Sequence, residues 1–128
     1  MCGFVGNYSY RGSQSVDPER LREAGRLLAH RGPDASGFFH QGPVSFAHWR
    51  LSILDLTPAG NQPMVTPDRR FYLLYNGEVY NYRALKEKYN LTGETDFFSR
   101  TDTEVVVRLF EKFGTDCFSE LNGMFALA

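Results

Sequence analysis

The sequence predicts an α+β domain, because two kinds of signal alternate along its 128 residues. Short apolar runs rich in Phe, Tyr, Val and Leu, punctuated by Gly-Pro or Asn-Gly, read as strands joined by tight turns. Between them, Asp17-Pro18 and the pair Thr101 and Glu104 stand in front of apolar residues at helical spacing, the pattern of capped amphipathic helices.

Gly3 to Tyr8 is a short apolar strand in which Gly3 and Gly6 leave room for close backbone approach. Arg11-Gly12-Ser13-Gln14-Ser15 is a polar loop, and Asp17 then caps a helix from Pro18 to about Ala29 with Leu21, Ala24, Gly25 and Leu28 on one face. Arg31-Gly32-Pro33-Asp34 ends that helix. Gly37 to Leu56 reads as strand, turn at Gly42-Pro43, and strand, followed by a loop containing Pro58, Gly60, Pro63 and Pro67. Phe71 to Tyr75 is an apolar strand running into Asn76-Gly77, a pair that on its own signals a hairpin turn. Asn81 is placed to cap a second helix carrying Leu85 and Tyr89. Gly93 to Ser99 is a loop with a short strand at Phe97-Phe98, and Thr101 with Glu104 opens a helix through Val105, Val106, Leu109, Phe110 and Phe113 that stops at Gly114. A helical turn through Cys117, Phe118 and Leu121 leads to a strand at Met124 to Ala128. A strand opening at the last residue would be unpaired, an edge that folded proteins avoid, so the chain is expected to be part of a longer protein.

At 14.6 kDa, with 42% hydrophobic and 15% aromatic residues, the chain is one globular domain with a real core. A net charge of -1 gives no basic field for nucleic acid or an anionic membrane, and favours a small, neutral or zwitterionic partner. No stretch has the length of a membrane span, so a cytoplasmic location is expected. Cys2 and Cys117 form no CxxC pair and read as free thiols. His30, His40 and His48 lack metal-ligand spacing, so no metal is expected, and no GxGxxG or GxxxxGK[ST] marks a nucleotide cradle.

Chemistry concentrates at Met1-Cys2-Gly3. Methionine is removed when a small residue follows it, which would leave Cys2 carrying a thiol and a free α-amine. An α-amine titrates near pH 8, at about 7.7–8.0, so part of it is unprotonated at neutral pH and able to take the thiol proton. The alternative is that Cys2 is simply a small buried residue of the first strand.

Beyond this start come His30-Arg31-Gly32-Pro33-Asp34, Arg50-Leu51-Ser52-Ile53-Leu54-Asp55, Gly60-Asn61-Gln62-Pro63-Met64, Asn76-Gly77-Glu78-Val79-Tyr80-Asn81-Tyr82, Thr101-Asp102-Thr103-Glu104-Val105 and Gly123-Met124-Phe125-Ala126. In this order, over essentially the whole chain, the sequence resembles the glutaminase domain of glutamine-hydrolysing asparagine synthetases, within the class II amidotransferases. The resemblance implies an N-terminal-nucleophile αββα sandwich, two antiparallel sheets face to face with helices outside. It also implies hydrolysis of L-glutamine to glutamate and ammonia through a thioester on Cys2. Asn76 (side-chain amide) and Gly77 (backbone N–H) would be the oxyanion donors, Arg50 the fork for the substrate α-carboxylate, Asp102 and Glu78 the acceptors for its α-ammonium, and the main chain around Leu54 a further contact. Taken singly, each charge has a plainer reading: Arg50 as a solvated strand residue, Asp102 as an acid in a helix's first turn, Glu78 as a charge beside a turn. His30 and His48 are expected to be structural, and Cys117 to be core.

The larger family passes ammonia to a second domain where ATP, with Mg, activates aspartate. No SGGxDS-type loop for that chemistry occurs in this chain, so no cofactor is expected within it. The expected partners are L-glutamine, a synthetase domain or subunit that receives ammonia, and a second copy in a homodimer, with no nucleic acid and no membrane. Two functions stand side by side: a glutaminase module, or a non-catalytic glutaminase-like interaction module or inactive fragment.

Overall fold

The computed structural model describes residues 1–10, 17–91 and 97–128. Its elements are β1 (Gly3–Tyr8), α1 (Pro18–Arg26), β2 (Ala35–Gln41), β3 (Val44–Arg50), β4 (Met64–Val65), β5 (Tyr72–Leu73), β6 (Tyr75–Val79), α2 (Tyr82–Lys88), α3 (Asp102–Phe113) and β7 (Gly123–Leu127), with 3-10 turns at Ala29–Arg31, Pro58–Gly60 and Gly114–Glu120. The expected polar loop at 11–15 lies outside the described residues, as do positions 93–96 of the expected loop before α3.

The first sheet is antiparallel in the order β1-β3-β2, with Gly3 opposite Trp49 and Ala35 opposite Arg50. Strand alternation gives it two unlike faces. One carries Val5, Ala47 and Trp49 beneath α1, where Leu21 completes a small cluster. The other carries His48 and Phe39 toward the second half of the chain: Phe39 stacks on Tyr72 at 4.1 Å, and His48 Nε2 donates to the Tyr75 carbonyl at 3.2 Å. That half has its own core, in which Leu85, Leu91, Val105, Val106 and Leu109 pack on Met64, Leu73, Tyr75 and Val79. The α+β class and the antiparallel pairing are as the sequence predicts.

Helix α1 starts where Asp17 predicts, its carboxylate accepting from Glu19 N, but it ends at Arg26, and Ala24 lies exposed, off the expected buried face. The second strand of the Gly37 to Leu56 block stops at Arg50, because side-chain acceptors take the place of a ladder beyond it: Ser52 N donates to Asp34 Oδ2 and Thr57 N to Asp55 Oδ1. Phe97-Phe98 forms no strand. Phe98 N and Ser99 N donate to the Glu104 carboxylate at 3.1 and 2.7 Å, so no strand partner is needed. Glu104 is 0% exposed and also accepts from Ser99 Oγ, while its own N–H bonds Thr101 Oγ1, which makes one half of the expected capping box. Asn81 stands at the N-cap of α2, yet its side chain binds Glu120 O and Asn122 N instead of the helix.

The Asn76-Gly77 turn signal is overruled by tertiary structure: both residues lie inside β6, opposite Ala126 and Phe125 of β7. The last strand is therefore paired along its length, and not left unpaired as expected. Cys117 is a free thiol, 2% exposed, in the core. No helix among the described residues is long and apolar enough to cross a membrane.

Burial holds the His48 imidazole neutral, with a pKa lowered from 6.5 to about 4, and the Arg50 charge adds to the same effect. The unfolded chain takes up that proton more readily, so this contribution is complete above pH 6.5 and is lost as pH falls toward 4. Between pH 7 and pH 5 the protein should lose about 2 kcal/mol of unfolding free energy to this one group. Urea unfolding at the two pH values, compared between parent and His48→Gln, reads the effect. An equal loss in both proteins would rule it out.

Candidate active site

The cleft lies where the N-terminus, the end of β3, strand β6 and the start of α3 meet, and it encloses about 500 Å³ open to solvent. Cys2, Asn76 and Gly77 line it, and so do Arg50, Leu54, Glu78 and Asp102. Every residue singled out in the sequence for a site thus borders one cavity. Met1 also lines the cleft and is 68% exposed.

Cys2 is half-buried at the foot of β1. Leu51 N donates to its Sγ at 3.4 Å, and the thiol donates to Leu51 O at 3.6 Å. The Cys2 carbonyl accepts from Arg31 Nε at 3.1 Å. Neither partner was nominated for the site. Leu51 acts through its main chain, which no residue type betrays, whereas Arg31 sits in the quoted His30 to Asp34 motif.

Arg50 is 5% exposed and is held by two carbonyls and a side-chain amide: Nη1 donates to Thr57 O at 2.7 Å and to Asn61 Oδ1 at 3.0 Å, and Nη2 to Asp55 O. A guanidinium has five N–H donors. Among the described residues no acceptor meets Nε or a second Nη2 hydrogen, and the Nε–Nη2 side of a guanidinium is the side that matches a carboxylate. A Cβ at Gly60 would sit 2.1 Å from Nη2, so only glycine leaves the fork its place. Asp55 fixes the loop that carries these acceptors. Its carboxylate takes Arg100 N, Thr57 N and Thr57 Oγ1, and these bonds hold its pKa at about 2.

Asn76 buries Oδ1 without a hydrogen-bond partner. Gly77 is required by close approach, because a Cβ there would lie 2.2 Å from Met124 O. Its N–H direction follows from the ladder. Leu74 and Ala128 exchange both bonds, at 2.8 and 3.0 Å, and Tyr80 N donates to Asn122 O, so even-numbered residues of this stretch face β7. Tyr75, Gly77 and Val79 turn their N–H groups the other way. Tyr75 N meets Gln62 Oε1 and Val79 N meets Asp102 Oδ2, while the Gly77 N–H between them has no acceptor among the described residues.

Asp102 is 4% exposed and well supplied with donors: Tyr75 Oη and Val79 N on Oδ2, and Thr103 N on Oδ1. Its charge, after burial, pushes the Glu78 carboxyl above the usual carboxylate range. Burial first, then Asp102, pushes the Tyr75 phenol far up, so it is a hydrogen-bond donor at any working pH. A buried tyrosine on an apolar strand needs a partner for its hydroxyl, and that requirement was the sequence signal for this contact. No group of His, Cys, Asp and Glu among the described residues could hold a metal ion.

The family described as "Glutamine amidotransferase domain" matches residues 1–128. The chain is 39% identical over 128 residues to "Asparagine synthetase [glutamine-hydrolyzing] 1" of Bacillus subtilis, covering 98% of this chain and 20% of that protein. It is 35% identical over 128 residues to "Asparagine synthetase B [glutamine-hydrolyzing]" of Escherichia coli, covering 100% of this chain and 23% of that protein. It is also 40% identical over 110 residues to "Amidase chry2" of Gibberella zeae, covering 84% and 16%. The chain thus spans about a quarter or less of the length of these relatives. With a match along its entire length and a thiol, a guanidinium and two carboxylates around one cleft, the chain belongs to the glutamine amidotransferase domain family.

Proposed function

We propose that this domain hydrolyses the side-chain amide of L-glutamine to glutamate and ammonia through a thioester on Cys2. The observation that carries the reading is the convergence on one cleft of Cys2, the open Arg50 pair, the unbonded Gly77 N–H and two carboxylates. Removal of Met1 frees the Cys2 α-amine, which takes the thiol proton. The thiolate attacks the carboxamide carbon, and the oxyanion that forms accepts from Asn76 Nδ2 and Gly77 N. The ammonium passes its proton to the departing nitrogen, ammonia leaves, and the thioester remains. Water, deprotonated by the same amine, attacks the thioester; glutamate departs and the thiol is restored.

Arg50 binds the α-carboxylate with its Nε and Nη2 hydrogens. The α-ammonium sits at Glu78 and Asp102, where its charge favours the Glu78 carboxylate that burial first, and then Asp102, disfavours. The main chain near Leu54 closes the pocket. No cofactor takes part in these steps. Ammonia then goes to a synthetase domain or subunit, ATP- and Mg-dependent as the resemblance implies, and the similarity to glutamine-hydrolysing asparagine synthetases supports the hand-over. The β1-β3-β2 sheet and, across from it, the separate strand pairs β4-β5 and β6-β7 form the inner layers of an αββα sandwich, a reading supported by α1 against β1 and β3, α3 against β4 to β6, and β1 against β6.

Glutamate release tests the mechanism. Protein lacking Met1 should turn over glutamine, and protein whose N-terminus is blocked by a retained Met1 should not. Equal release from the two would remove the amine from the mechanism. No release from either would favour the interaction module.

A further inference from the structure

The β6–β7 ladder turns the Gly77 N–H away from β7, and how firmly it stays there depends also on the opposite edge of β6, where the residues on either side of it are held. Both flanks are tied to the same atom. Asp102 Oδ2 accepts from Tyr75 Oη at 2.9 Å and from Val79 N at 2.9 Å, and Tyr75 and Val79 bracket the stretch Asn76-Gly77-Glu78. Asp102 is itself fixed at the first position of α3, its second oxygen taken by Thr103 N. The phenol of Tyr75 is buried, and a phenylalanine would pack at the same place with no polar group to satisfy.

We infer that Tyr75 is a positioning residue: its hydroxyl, through Asp102, locks β6 so that the Gly77 N–H stays aimed into the cleft. This rests on the glutaminase reading of that cleft. Without the hydroxyl, Asp102 Oδ2 keeps one donor in place of two, the carboxylate is held less firmly, and the Val79 tether loosens. The hydroxyl does not touch substrate, but Asp102 also receives the α-ammonium, so the effect falls chiefly on kcat with a smaller rise in KM.

The test is the steady-state kinetics of glutamate release by Tyr75→Phe in protein lacking Met1, normalised to folded protein. The expected result is a kcat lower by about tenfold with KM within about twofold of the parent, a fraction of the roughly 10²–10³ that loss of an oxyanion donor costs. A kcat within about twofold of the parent, or a raised KM at unchanged kcat, would overturn the inference. Amide hydrogen exchange in the parent gives an independent reading. Val79 should exchange slowly and Gly77 fast, and a Val79 amide as fast as Gly77 would show that no clamp exists. If the parent and Cys2→Ala proteins alike release no glutamate, the glutaminase reading fails, and the exchange result alone decides whether the clamp is there.

Discussion

Replacing Cys2 with alanine should abolish glutamate release from glutamine, while the Cys117→Ala protein keeps the parent rate per folded molecule. The two thiols differ in exposure and in surroundings. Cys117 is 2% exposed on the core side of the Gly114–Glu120 turn, and burial raises its pKa, which keeps it protonated. Cys2 borders the cleft, and the Leu51 main chain sits on its sulfur, with an N–H able to stabilise the thiolate and a carbonyl able to take the thiol proton's bond before ionisation. Without the sulfur there is no thioester, and a water molecule would have to attack an amide with no nucleophile to divide the barrier. The fold should tolerate the change: Cys2 is half-buried and its contacts are long sulfur bonds, so the unfolding free energy should move by no more than about 1 kcal/mol. Parallel measurements of glutamate release and urea unfolding check both halves. Parent-like turnover in Cys2→Ala would sink the proposed chemistry. Loss of turnover together with unfolding would assign Cys2 a structural role.

What the sequence disclosed and what it hid have separate physical causes. Caps, turn residues and period are local, and they located α1, β1, the β2–β3 hairpin and α3. Asn76-Gly77 misled because its turn preference is also local, whereas the pairing of β6 with the distant β7 is not. The Phe97-Phe98 segment misled in the opposite sense, since apolar character promised a strand but the buried Glu104 carboxylate already meets its N–H groups. The residues that line the cleft were named through the ordered motifs of the resemblance, since each charge taken singly has a plainer reading. The Leu51 main chain at Cys2, and the Thr57 and Asp55 carbonyls that aim Arg50, are backbone atoms, and nothing in the letters distinguishes them. Asp102 shows a middle case. A first-turn acid explains it locally, yet its donors come from β6, so the plainer reading and the functional one describe the same carboxylate seen from two sides.

Asn76→Ala should lower kcat for glutamine hydrolysis by about 10²–10³, equivalent to about 3–4 kcal/mol of transition-state stabilisation, with a much smaller change in KM. The loss should be partial, because the Gly77 N–H still faces the place where the oxyanion forms. Asn76→Asp should be more damaging than alanine, since a carboxylate would oppose the developing negative charge in place of a donor. Stability should move the other way. Asn76 Oδ1 is buried with no partner, and its backbone pairs with Ala126 whatever side chain it carries. Removing an unsatisfied buried acceptor should leave the protein as stable as the parent or more stable by about 1 kcal/mol. The combination is diagnostic: a residue kept for packing loses stability when truncated, while a residue kept for catalysis at the expense of a buried polar atom loses rate and gains stability. Steady-state kinetics and thermal unfolding of the alanine and aspartate variants separate these cases. An alanine variant with parent-like kcat and a lowered unfolding midpoint would return Asn76 to the ordinary residues of β6.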